Sequence, residues 1–96
     1  MAFVNGSGMN EPGFDVRKRR QMRTAFIIRL YEIVDASVSE FVSAFEIAAA
    51  IDMDEAEARR VVEYYEEKGY VKVDDHRSGV VRITADGIDH VETLPG

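Results

Sequence analysis

The stretch that decides the fold runs from Ser43 to Val71 and reads SAFEIAAAIDMDEAEARRVVEYYEEKGYV. It holds two helix starts of the same chemistry. Ser43 is followed in the next turn by Glu46, and Asp54 by Glu57. Each pair matches a capping box, in which the first side chain accepts from a free amide of the first turn and the glutamate reaches back. After the first start, Ile47, Ala48 and Ile51 form one apolar face; after the second, Ala58, Val61, Val62 and Tyr65 form another at helical spacing. The spacing predicts two short helices packed by these faces. Asp52, Met53 and Asp54 between them leave room only for a sharp turn. Asp52 falls where a left-handed backbone is needed, which aspartate tolerates better than most residues, and Met53 is placed to plug the corner. Gly69 ends the second helix as a C-terminal cap, with Lys68 in the last turn favourable to the helix dipole.

Outward from this core motif, Tyr70 to Asp74 and Val80 to Thr84 alternate apolar with polar residues, and the intervening DHRSG supplies turn formers. The two runs pair as an antiparallel ribbon with Val71, Val73, Val81 and Ile83 toward the core. Thr84 caps a further short helix carrying Ile88, Val91 and Leu94, which Gly87 is expected to weaken slightly. On the other side, Asp15 to about Val34 reads as the longest helix. Residues 1–14, MAFVNGSGMNEPGF, lack periodicity and read as a flexible arm. The expectation is a single domain over residues 15–96, α+β and mainly helical, with three helices, a ribbon of two to three strands and a short C-terminal helix.

The phrases FEIAAAIDMDEAEARRVVEYYEEKGYV and VVRITADGIDHVE carry a resemblance. They are similar to the E-I-A … L-G-I-S … K-G-Y-V and L-T … G … V-E runs of the winged helix-turn-helix domains of bacterial and archaeal transcriptional regulators, over about Phe41 to Glu92. Asp52 stands where that family usually has glycine, and Glu55, Glu57 and Glu63 where it often has polar or basic residues. The resemblance implies that the second capped helix enters the major groove of double-stranded DNA, with Arg59 and Arg60 at groove-facing positions. It also implies pairing of two copies through the first and last helices.

The net charge of −6 argues against a protein that coats nucleic acid by charge alone. The charge is polarised along the chain. From Asp15 to Arg29 six basic residues face one acidic, whereas from Leu30 to Lys68 three face eleven. With no cysteine, disulfides and thiolate-ligated zinc are excluded. The absence of a signal peptide or long apolar run gives the expectation of a soluble, cytoplasmic protein with no membrane contact. Asp74, Asp75 and His76, with Asp86, Asp89 and His90, are the only cluster of metal-ligand types. Two histidines on what reads as solvated surface do not make a metal site, so neither metal nor cofactor is expected. No nucleophile elbow, phosphate loop or metalloprotease motif occurs, and an enzyme is not expected.

Candidate nucleic-acid contacts are Arg59 and Arg60, which can grip guanine or instead pair with Glu55 and Glu63 at helical spacing. To these we add Lys72, His76, Arg77 and Arg82 on or beside the ribbon, and Arg17, Lys18, Arg19 and Arg20 at the start of the long helix. That last cluster sits where the helix dipole is already positive, so either the helix frays there or an anion is held. Tyr64 is expected to pack under a neighbouring loop. The apolar stripe of the long helix, including Met22, Phe26, Ile27, Leu30 and Tyr31, with Ile28 beyond it, is broader than docking on one core needs. Either the helix is buried on two sides, or part of it forms a homodimer interface. The functional expectation is a small DNA-binding regulator; the alternative is a winged-helix module whose acidic second helix docks a protein partner.

Overall fold

The computed structural model describes residues 12–95, with side chains from Val16 onward. Four helices and one sheet follow in the order α1 (Pro12–Val34), β1 (Val42–Ser43), α2 (Ala44–Ala50), α3 (Glu55–Lys68), β2 (Val71–Asp75), β3 (Val80–Ile83) and α4 (Ala85–Glu92). Helix α1 extends three residues before the expected Asp15, and most of the expected arm, residues 1–11, lies outside the described residues.

The two capped starts form as the side chains dictate. Ser43 Oγ accepts from Glu46 N at 3.4 Å and Asp54 Oδ1 from Glu57 N at 2.8 Å. Neither glutamate reaches back to its cap amide; Glu57 takes the Arg60 guanidinium at 2.7 Å instead. At the corner, Asp52 is left-handed with φ 58°, Met53 N donates to Ala48 O at 2.8 Å, and the Met53 side chain is 5 % exposed. Helix α3 closes in the same way. Gly69 has φ 79°, Tyr70 N donates to Tyr65 O at 2.9 Å, and the rings of Tyr65 and Tyr70 lie 6.0 Å apart. This is the apolar contact that accompanies such an ending. A third ending of this kind, at α1, has no glycine at all: Asp35 and Ala36 have φ 52° and 58°, with Ala36 N donating to Tyr31 O at 3.1 Å.

The sheet is antiparallel in the order β1, β3, β2, with Val42 opposite Val81, and Val73 also opposite Val81 on the other side. The register shifts between Val73 and Asp75, leaving Asp74 as a bulge. Val71, Val81 and Ile83 are buried as expected, and Val73 packs partly buried against them. Thr84 Oγ1 accepts from Gly87 N at 3.0 Å and so caps α4. Gly87 is no simple weak point in that helix. A Cβ there would collide with the Tyr70 carbonyl oxygen and with Ile83, so its absence lets α4 lie directly on the turn after α3.

The breadth of the α1 stripe is resolved inside the single chain. Phe26, Ile27 and Leu30 are each 0 % exposed, and Val34 lies in the same core with Ile47, Val61 and Ile83. Helix α1 packs on both α2 and α4, and Tyr31 donates its hydroxyl to Glu92 of α4 at 2.8 Å. Phe26, Ile27 and Leu30 therefore offer no surface to a second copy, contrary to their place in a dimer interface. Met22 and Tyr31 are partly buried against the same core. Ile28 is half-buried and lies on the far side of the helix from Leu30.

Candidate nucleic-acid interface

Helix α3 lies between α1 and the β2–β3 ribbon. On one flank, Arg19 and Arg23 of α1 adjoin Glu57, Arg60 and Val61. On the other, Arg59 and Glu63 adjoin Phe45, Val73 and His76. Glu55, Glu63 and Glu67 are exposed along α3 itself, so an acidic helix runs between two flanks.

The two arginines expected to face a groove are both engaged within the chain, though with other partners than Glu55 and Glu63. Arg59 lies over the Phe45 ring, 4.9 Å from its centre, and its Nη1 donates to the His76 carbonyl at 3.4 Å. Arg60 holds Glu57. Both remain solvent-exposed. The Arg60 end of its ion pair is open to solvent, whereas the Glu57 side chain is only 13 % exposed.

The ribbon residues divide by what they touch. His76 Nε2 lies 3.1 Å from Glu66 Oε2, tying the turn to α3. The turn is held by Asp75, which accepts from Arg77 N at 3.1 Å and from Ser78 Oγ at 3.0 Å. This leaves the Arg77 side chain exposed at the tip. Lys72 is exposed on β2, opposite Arg82 in register. Arg82 is different: its Nη1 donates to the Val38 carbonyl at 3.1 Å, fastening the α1–β1 connection to the sheet. That contact gives Arg82 a structural role beside its expected place among the nucleic-acid contacts.

Arg17, Lys18, Arg19 and Arg20 are all exposed, and no ion pair joins them to other described residues. Arg23, one turn further on, extends this basic face; the sequence reading missed it, although its helical spacing from Arg19 and Arg20 is a signal that finds it. Tyr64 is not under a loop. It is 39 % exposed, with the Arg23 guanidinium 4.2 Å and the Lys68 ammonium 5.7 Å from its ring centre. The acidic and histidine residues do not converge: His76 sits against Glu66, while His90 stacks on Tyr70 with ring centres 4.5 Å apart. Among the described residues no group of three or more possible ligands is placed to hold a metal ion. No described helix is long and apolar enough to cross a membrane.

Comparison with models of known protein families, with curated proteins and with solved structures gave no match.

Proposed function

We propose that this protein is a small winged-helix DNA-binding protein that acts in transcription regulation. The observation that carries the reading is the distribution of cations around α3: Arg19 and Arg23 stand on one flank, and Arg77 and Lys72 belong to the ribbon on the other. A helix lying in a major groove meets base edges along its length and phosphates to either side. Carboxylates along α3 are tolerable there, since Glu55 or Glu63 can accept from a cytosine amino group, while the flanking cations take the phosphates. Arg59 and Arg60 are themselves solvent-exposed and would exchange their partners within the chain for bases. The test is a gel shift of genomic fragments at low and moderate salt, with retarded complexes expected at low salt and weaker ones as salt rises.

A second reading has its own observation. Since Arg59 and Arg60 are held internally, the outward face of α3 is dominated by Glu55, Glu63 and Glu67, which suits a basic protein partner. Absence of any shift even at low salt selects this reading. A homodimer, under either one, would draw on the apolar side chains left open among the described residues, Val16, Ile33, Val38 and Phe41, with the half-buried Ile28.

A further inference from the structure

A cleft of about 270 Å³ opens where α1, α3 and α4 meet, away from the ribbon. Arg20 and Arg23 enter it from α1, Lys68 from α3 and His90 from α4, and no carboxylate lines it. Three cations share this cleft with no carboxylate in its wall, which leaves them to solvent or to a bound anion. None of Arg20, Arg23 and Lys68 forms an ion pair with another described residue.

The rest of the wall is aromatic. Tyr70 and His90 stack with planes 21° apart, and Tyr64 presents a ring already flanked by Arg23 and Lys68. A guanidinium held by its face against a ring keeps its edge N–H donors available for a forked contact with a phosphate. Tyr65, 3 % exposed, also lines the cleft, and its hydroxyl makes no hydrogen bond to another described side chain or backbone group. Burial raises this phenol far above its ordinary value, so it stays a neutral donor. Buried hydroxyls are nearly always bonded, and an acceptor on a ligand in the cleft would satisfy this one.

We propose that this cleft binds a small aromatic phosphate of mononucleotide size, its phosphate on Arg20, Arg23 and Lys68 and its ring among the tyrosines. Inorganic phosphate alone would leave the rings unused, and a neutral nucleoside would leave the cations unpaired. The site lies away from the ribbon tip but shares Arg23 with the flank assigned to DNA phosphates, so the test below separates the two readings.

The test is calorimetric titration of the full chain with AMP, adenosine and inorganic phosphate. AMP is expected to bind at least about tenfold tighter than either half of the molecule. Arg23→Gln, Lys68→Gln and Tyr65→Phe should each weaken AMP about tenfold, while Arg77→Ala, at the ribbon tip, should leave it unchanged. Thermal melting of each variant identifies any that lose the fold; Lys68→Gln changes an exposed side chain and keeps the comparison interpretable. The proposal is overturned if AMP binds no tighter than inorganic phosphate, or if Arg77→Ala weakens AMP as much as Arg23→Gln does. It is also overturned if AMP fails to bind while Arg23→Gln weakens a DNA complex, which would assign the cleft to DNA backbone.

Discussion

Three non-glycine residues, Asp35, Ala36 and Asp52, hold left-handed backbone at the ends of α1 and α2. For an L-residue this costs about 1–2 kcal/mol, less for aspartate than for alanine. Ala36→Gly is therefore expected to stabilise the protein by about 0.5–1 kcal/mol, seen as a rise of a few degrees in Tm. Asp52→Gly should act in the same direction by a smaller amount. Gly87→Ala should do the opposite by about 2 kcal/mol or more, because backbone atoms of Tyr70 occupy the space of the new methyl group. Asp52 was legible from its sequence because two capping boxes bracket it and leave no other way round the corner. Ala36 was not. Nothing about an alanine marks a left-handed site, and this one follows from how Ala36 N closes α1 on Tyr31 O. Gly87 was misread for a related reason: helix propensity is local, whereas the demand for a missing Cβ comes from a carbonyl that tertiary packing brings close.

Each helix shows how far periodicity reaches. The buried faces of α2 and α3 could be read from spacing alone, since each gathers its buried residues into one stripe at helical intervals. The stripe of α1 could not be assigned, because breadth looks the same whether the second surface is another copy or the chain's own α4. The Tyr31–Glu92 bond helps settle it. That bond raises the Tyr31 phenol above its ordinary 10.0. A raised folded value means the link is fully present below pH 10 and is lost as pH rises through the folded titration. Arg82 was likewise invisible as a fastener, since its partner is a carbonyl far away in sequence. On α3, the exposed carboxylates give a direct test. Replacing Glu55, Glu63 and Glu67 together by glutamine removes three charges, each repelling phosphate by on the order of 1 kcal/mol or less after screening. DNA affinity should rise in a titration at fixed salt while the melting temperature holds. Glu57 is left alone because it is partly buried against Arg60.

At the scale of the whole molecule, the polarised charge of the sequence becomes a spatial arrangement: an acidic α3 between basic α1 and the ribbon tip. The apolar stripe of α1 is largely consumed by the core, so light scattering at micromolar concentration should give the mass of one chain, unchanged by Ile28→Glu. A dimer disrupted by that substitution would contradict this account of α1. The central claim is that cations flanking α3 meet DNA phosphates, and the salt dependence of binding tests it most directly. Fluorescence anisotropy with a duplex that the chain retards, measured across salt concentrations, should give a log–log slope of about −3 to −4 if roughly four phosphates are contacted. Arg77→Ala should weaken binding about evenly across sequences and reduce the slope by about 1. No binding at low salt, or a slope that Arg77→Ala and Arg19→Ala both leave unchanged, would contradict the account.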